Sequence, residues 1–480
     1  MSSNLLQSTY EAPRLRPEST AYFWAVNFVV GLSGLMFGLD SAVISGGIDL
    51  IKIQFALNPD QEGWVVSSAM VGCIAGVVCA GSFSDRFGRK PALILVGLLF
   101  SVSLIGSALA TDYMSLSLMR LLGGLGIGFS SVVSPMFLSE IAPSHSRGRM
   151  VSIYQLAITV GILLAFLSNA LIVHYGGKAS ASEVTGWVGH LFVSEQWRGM
   201  FAACAVPSVL YTAAAFLLPE SPRWLIKQGR EALAHGHLTR FFGISDADRE
   251  AAKIKSSLIG ADGNVSLTAL IGNSALRRPL AIGCILSAVG ALSGINVIMY
   301  YSPKIFQSAG LGGNSAHTAT VIVGIFNAVF TMIALLGVDR FGRRPLLLLG
   351  VSGVLVALIS AGAMFYFKIE NPWWILPPLL LHVAFFAFSY GPIGWIIISE
   401  IFPTRFRGRA SSICIFCGWT SGFLLTQAFP RFLASFGGAG VFWICAAATF
   451  FALIFIWVAV PETKGKSLEE IELFWKGKNP

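Results

Sequence analysis

Asp40 and Arg120 are the residues of this chain best placed to do chemistry, because each stands in a long apolar stretch. Asp40 follows Gly31–Gly38 and precedes Val43–Gly47, and Arg120 opens an apolar run at comparable depth. A carboxylate inside a membrane is costly unless it is protonated, hydrated or paired, and Arg120 is the obvious partner. Such a pair can work as a proton switch: a movement that alters the Arg contact moves the Asp between its ionised and neutral forms. The competing reading makes Asp40 a helix-end acid facing an outer aqueous cavity and Arg120 a topological anchor. Asp49 fits that outer, helix-end description.

Other reactive-looking patterns read as helix interior. The seven cysteines (Cys73, Cys79, Cys204, Cys284, Cys414, Cys417 and Cys445) all fall in apolar stretches, where a thiol behaves as a small hydrophobe. Cys414-Ile415-Phe416-Cys417 has redox spacing without the strand-and-helix context such a motif needs. Gly123-Gly124-Leu125-Gly126-Ile127-Gly128 lacks the strand that precedes a dinucleotide-binding loop, so its small residues serve close helix packing. No Gly-x-x-x-x-Gly-Lys-Ser/Thr occurs, which gives no support to a nucleotide-driven pump. No metal and no cofactor is expected.

The elements that position Asp40 and Arg120 follow from composition. The 480 residues are 55% hydrophobic and 12% charged, with a mean hydropathy of +0.71, values of a polytopic membrane protein. A crossing helix needs roughly 20 mostly apolar residues. Twelve such runs centre near residues 33, 72, 101, 128, 161, 208, 290, 325, 356, 388, 420 and 450. The first begins near Tyr22 behind a polar segment with Glu11 and Glu18, and reads as a retained span, not a cleaved signal. Residues 219–276 hold charge and no spanning run, forming a soluble insert with helical patches such as Asp246–Leu258.

The formal charge of +9 would suit nucleic acid if it were spread over a soluble domain, but the basic residues cluster between apolar runs. Arg86, Arg89, Lys90, Arg147, Arg149, Arg340, Arg343, Arg344, Arg405, Arg407 and Arg409 share one side, joined by Arg223, Lys227 and Arg230 of the insert. The positive-inside rule makes that side, and both termini, cytoplasmic. A cell membrane is the expected location, with lipid and not nucleic acid as the partner.

The charged loops are also copied. Asp85-Arg86-Phe87-Gly88-Arg89-Lys90 returns as Asp339-Arg340-Phe341-Gly342-Arg343-Arg344. Ser139-Glu140-Ile141-Ala142-Pro143 with Arg147-Gly148-Arg149 returns as Ser399-Glu400-Ile401-Phe402-Pro403 with Arg407-Gly408-Arg409, and Pro219-Glu220-Ser221 answers Pro461-Glu462-Thr463. Three motif pairs in one order make a duplication of six spans: residues 1–218, the linker 219–276, and residues 277–480. Two similar halves around a central site are the architecture of alternating access.

The set resembles the sugar porters of the major facilitator superfamily over roughly residues 25–475. The motifs that carry it are Gly38-Leu39-Asp40-Ser41-Ala42-Val43-Ile44-Ser45-Gly46, the paired Asp-Arg-Phe-Gly-Arg loops, Pro219-Glu220-Ser221-Pro222-Arg223-Trp224, Gly294-Ile295-Asn296-x-x-x-Tyr300-Tyr301 and Pro461-Glu462-Thr463-Lys464-Gly465. The resemblance implies an all-α fold of twelve transmembrane helices in two pseudo-symmetric halves, functional as a monomer. It implies ion-pair networks at the cytoplasmic helix ends, formed by Asp85, Arg89, Glu140, Arg147, Glu220 and Arg223 in one half and by Asp339, Arg343, Glu400, Arg407 and Glu462 in the other. Pairs that hold the halves together in one state and break in the other would supply a bistable element. Because proton-coupled members carry Asp at the position of Asp40, the resemblance favours proton symport over uniport.

It further implies a sugar site of amides and aromatics. Gln155, Asn296, Asn327 and Trp395 match, with Phe37, Tyr300, Phe386 and Trp419 as walls. Amides offer both donors and acceptors to hydroxyls. Four expected glutamines are missing, at Gly290, Ala291, Gly418 and Ile162. Each loss removes on the order of 1 kcal/mol of hydrogen bonding, and together the changes predict a larger, less polar cavity. Ser293 and His382 are the candidate compensating groups, with a histidine bonded to a neighbouring helix as the alternative. Gly391, Pro392 and Gly394 predict a break in span ten.

These expectations together describe a proton-coupled importer of a sugar, polyol or related hydroxylated solute, and not an enzyme. The alternatives are a facilitative uniporter, an efflux carrier for a larger or less polar solute, and a solute sensor. The short segment after Pro461-Glu462-Thr463-Lys464 disfavours the sensor.

Overall fold

The computed structural model describes residues 17–142, 147–178, 186–258, 274–369, 371–402 and 406–462. The side chains of Arg147, Asp339, Trp395 and Arg407 lie outside that description.

Six helices build the first half: Pro17–Gln54, Pro59–Phe87, Arg89–Leu109, Tyr113–Ile141, Arg147–Gly176 and Gln196–Ala215. The insert folds as Pro222–Lys227, Glu231–Phe242 and Ile244–Leu258. Its Phe241 packs a ring against Tyr22 and Phe23 at the start of span one. In the second half, span seven comes as two pieces, Ser274–Leu292 and Ile295–Ser308, followed by Gly313–Phe341 and Arg343–Tyr366. Span ten is assembled from Leu376–Phe385, a π-helical turn Phe386–Tyr390 and Gly391–Glu400.

The last helix, Arg407–Ala459, is 53 residues long. At about 1.5 Å per residue that is more than twice the ~30 Å hydrocarbon core. Gly437, with φ of 67°, breaks it into spans eleven and twelve. Among the described residues ten helices are long and apolar enough to cross a membrane by length and composition; dividing the long rod at Gly437 and adding Gln196–Ala215 completes the expected twelve.

Spans seven and ten of the second half are irregular. Gly294 takes φ of 87° between the pieces of span seven, a conformation that costs glycine nothing. In span ten the departure from α-geometry is the π turn itself, one turn earlier than Gly391 and Pro392 predict. Pro392 instead sits in the first turn of the closing helix, where its missing N–H is tolerated.

Within the first half, span two packs on span four and span one on span five. Both seams are glycine-lined: a Cβ at Gly124 would lie 1.8 Å from the Ala69 carbonyl oxygen, and one at Gly38 2.1 Å from that of Ile158. Between the halves, span two meets span eleven, span five meets span eight, and span one meets the second piece of span seven.

Candidate functional site

Asp40 and Arg120 do meet. Arg120 Nη1 lies 3.2 Å from Asp40 Oδ2, with the side chains 0% and 1% exposed. The same nitrogen donates to the Asp40 carbonyl oxygen at 2.8 Å, and Ser103 Oγ lies 3.5 Å from Oδ1. Arg120 Nε has no hydrogen-bond partner among the described residues. Gly123 makes the room, since a Cβ there would lie 2.8 Å from Asp40 Oδ2. The pair is sealed among spans one, three and four, and its neighbours Phe37 and Ser41, not Asp40 itself, face the cavity. Tyr300, from the other half, is within electrostatic reach of Asp40 and Arg120.

The cavity between the halves measures about 280 Å³, at the lower edge of the ~300–1,000 Å³ common for small-molecule sites. The first half supplies Phe37, Ser41, Gln155, Ile158, Thr159 and Ile162; the second supplies Gly290, Ala291, Asn296, Tyr300, Asn327, Thr331, Phe386, Gly391, Gly418 and Trp419. Phe37 and Trp419 approach across the gap, ring centroids 6.4 Å apart. The lining continues to Ile398, two residues before Glu400, so the cavity runs from mid-depth toward the basic helix ends.

Three expectations about this lining change. Ser293 and His382 are buried outside it: Ser293 Oγ donates to the Gly290 carbonyl oxygen at 2.7 Å, and His382 Nε2 lies 3.0 Å from the Ser293 oxygen. They tie span ten to the break in span seven. Nor do the missing amides leave space. At Gly290 a Cβ would lie 2.2 Å from Tyr390 Cε1, and at Gly418 it would lie 3.2 Å from Ser287 Cβ. The Tyr390 ring fills the first of these sites, and Ser287 of span seven stands close at the second. Tyr390 went unnoticed in the sequence, although it stands four residues after Phe386 and thus on the same helical face.

At the basic end the described ion pairs stay within one half. Arg89 binds Glu140 through two bonds, Nη2 to Oε1 at 2.9 Å and Nε to Oε2 at 3.1 Å, and reaches Asp85 at 3.0 Å. Ser221 donates to the same Glu140. Glu220 caps the helix that starts at Arg89, accepting from the backbone N–H groups of Arg89 and Lys90 at 2.8 Å and 3.2 Å. Gly88 has φ of 105°, and a Cβ there would lie 2.2 Å from Glu220 Oε2. The second half repeats the device: Glu462 accepts from Arg343 N and Arg344 N, both at 3.1 Å, beside Gly342 at φ of 87°. Arg343 meets Glu400 at 3.4 Å. The loop motif and the Pro-Glu motif therefore belong together because the carboxylate of one satisfies the orphan amides of the other. Arg223 has no ion-pair partner among the described residues.

The described charged and hydrogen-bonded contacts that join the halves lie at the opposite end, and the sequence reading missed them. The Glu62 carboxylate, fully buried, pairs with Lys304 across the interface and with Lys52 of its own half at 3.0 Å. Gln427 accepts from Ser67 Oγ at 2.7 Å and donates to the Asp60 carbonyl oxygen at 2.9 Å. A Cβ at Gly63 would lie 2.2 Å from the Gln427 carbonyl oxygen, so the halves touch there backbone to backbone. Lys304 is the one charged residue between Ile295 and Phe306, and that isolation was the available signal.

Two six-span bundles around a central cavity are the fold of a major facilitator carrier. The Sugar (and other) transporter family model matches residues 26–475, and the chain belongs to that family, whose members are transporters and not enzymes. It is 39% identical to the arabinose-proton symporter of Bacillus subtilis (strain 168), covering 96% of this chain and 97% of that protein. It is 34% identical to the D-xylose-proton symporter of Escherichia coli (strain K12), covering 95% and 96%. The inward-open conformation of the xylose transporter XylE from E. coli superposes with a TM-score of 0.81 at 33% identity, covering 95% of this chain and all of that one.

Proposed function

We propose that the chain is a proton-coupled symporter of a monosaccharide or related hydroxylated solute, working by alternating access. The observation that carries this reading is the Asp40–Arg120 pair, buried and separate from the solute cavity yet bordering it through Ser41 and Tyr300. The names of the relatives, symporters of arabinose and xylose with protons, support it. The amides Gln155, Asn296 and Asn327 offer donors and acceptors to hydroxyls, and Phe37 and Trp419 offer faces to C–H groups.

In this reading the basic end faces the cytoplasm, in line with the positive-inside rule. The protein then sits in a cell membrane with both termini inside. The conformation described here is closed outside, where Glu62, Lys304 and Gln427 join the halves, and its cavity extends inward. Likeness to an inward-open relative supports that assignment. Asp40 accepts its proton when the bundles tilt the other way. Protonation frees Arg120 from its carboxylate partner, and solute bound against Tyr300 senses the change from the opposite half. The Arg89–Glu140 and Arg343–Glu400 clusters brace each bundle so that it turns as one body.

The test is uptake into proteoliposomes carrying an inward proton gradient, with labelled L-arabinose and D-xylose as probes. Wild-type protein should accumulate solute. Asp40→Asn should abolish accumulation while retaining counterflow. Equal accumulation by the variant would refute proton coupling through Asp40, and equilibration without accumulation by the wild type would make the protein a uniporter.

A further inference from the structure

Tyr390 makes a use of Gly290 that nothing above requires. The Cε1 edge of the Tyr390 ring lies against the Gly290 backbone, with Cε1 2.2 Å, Cδ1 2.9 Å and Cζ 2.9 Å from where a Cβ would stand. Only glycine fits beneath it. The Tyr390 hydroxyl donates to the Leu286 carbonyl oxygen, so its single donor is spent inside the protein. What remains for the cavity is the ring. Phe386 continues that surface one turn away: the two planes are 8° from parallel with centroids 5.8 Å apart, and His382 lies parallel beyond Phe386 at 6.4 Å. The His382 ring is itself fixed to the Ser293 carbonyl oxygen. Gly290 and Ala291, on the adjoining turn of span seven, add no donor and no acceptor.

One side of the cavity is thus a rigid apolar wall from spans seven and ten, while the amides come from spans five, seven and eight. A sugar hydroxyl pressed against the Tyr390 and Phe386 rings loses its water and gains no partner from them, whereas a hydrogen or a methyl group loses nothing; Ser287 is the hydroxyl that span seven adds to the lining beside Gly290. Both members of the pair belong to the same half, so the wall keeps its shape however the halves move.

We propose that the Gly290–Tyr390 pair determines specificity, and that it selects a monosaccharide lacking a hydroxyl on the edge facing Tyr390: a pentose or a 6-deoxyhexose in preference to the parent hexose. This rests on the cavity being a sugar site. The chemistry is legible in the pairing alone: filling position 290 and opening position 390 would exchange an aromatic surface for an amide.

The experiment measures binding of matched sugars to the purified full-length protein by isothermal titration, with D-glucose against 6-deoxy-D-glucose and D-xylose, and D-galactose against D-fucose. Wild-type protein should favour the 6-deoxy or pentose member roughly tenfold or more, the cost of one unpartnered polar group. Tyr390→Phe should keep that order, because the ring remains. Gly290→Gln alone should lose binding of every sugar, and Gly290→Gln with Tyr390→Ala should restore binding with the order reversed toward the hexoses. Thermal melts of each variant separate loss of binding from loss of fold. Wild-type binding without preference, or with the hexoses preferred, overturns the specificity proposal alone. Failure of every one of these sugars to bind wild-type protein overturns the sugar-site reading and the specificity proposal with it. Binding by Gly290→Gln at wild-type strength also overturns the pair, since the ring must then move freely.

Discussion

Replacing Lys304 with Met should push the resting population toward the state that is open at the far end. Lys304 crosses from the second half to Glu62 in the first, and Glu62 keeps a second partner, Lys52, at 3.0 Å in its own half. The substitution therefore removes the contact between halves while leaving Glu62 the cationic partner Lys52, although the nearby Asp49 carboxyl loses the Lys304 charge it also faces. A hydrogen bond to a charged group contributes about 1.5–3 kcal/mol, and about 1.4 kcal/mol is a factor of ten in a two-state equilibrium. The ratio of far-end-open to far-end-closed protein should thus rise roughly tenfold to a hundredfold. Gln427→Ala, which loses two neutral bonds to Ser67 and Asp60, should shift it less. The assay is pulsed electron spin spectroscopy on spin labels at Ile53 and Phe436, both exposed at the far end and on opposite halves. The accessible cysteines Cys79, Cys284 and Cys417 would first be replaced by serine. Lys304→Met should lengthen the label distance, and in a Glu62→Gln background it should add little, because the two residues act as one contact. An unchanged distribution, or full additivity of the two substitutions, would refute the latch.

Other consequences can be checked independently. Gly123→Ala should destabilise the Asp40–Arg120 pair by steric overlap and lower proton-driven uptake more than counterflow, measured side by side in proteoliposomes. Gly437→Ala has open space around its side chain, so its cost is backbone strain alone: φ of 67° with ψ of 180° is a conformation essentially confined to glycine, at about 1–3 kcal/mol for another residue, and the melting temperature should fall with transport retained. Burial holds the Glu220 carboxyl above the ordinary carboxylate range. The folded state then binds that proton more tightly than the unfolded state, so this contribution favours folding below the ordinary value and fades as pH rises through the folded one. Melting curves of wild type and Glu220→Gln from pH 4 to 7 should diverge in that sense, with the wild type gaining on the variant as pH falls.

The parts of the site that were legible in the sequence share a cause. A charge inside an apolar run has few ways to survive, so Asp40 points to Arg120 from sequence alone, and copied loop motifs announce two bundles. Gly123, read as a packing glycine, turned out to give space to the Asp40 carboxylate, a role that depends on a neighbour 83 positions away in the chain. Glu62 and Lys304 were invisible as a pair because only the tertiary meeting of spans two and seven makes them one. Glycine in place of an expected amide suggested a hole at position 290, yet a sequence lists what a residue lacks and not what moves in to replace it. Tyr390 fills the volume. The basic-end clusters were expected to bridge the halves, and the described pairs instead brace each half from within. That fits a conformation in which the bridging contacts have passed to the other end.

The irregular backbone described above is unevenly shared. Span one and span four, which carry Asp40 and Arg120, are unbroken helices joined to their neighbours by glycine seams. Their counterparts in the repeat, spans seven and ten, contain the left-handed Gly294 and the π turn Phe386–Tyr390. The first bundle is regular helix around the Asp40–Arg120 pair, and the second departs from regular helix where most of the cavity wall is built. On the proposed function, substitutions in the cavity wall of spans seven and ten leave the backbone around Asp40 and Arg120 untouched, so the choice of solute and the coupling to protons can vary separately.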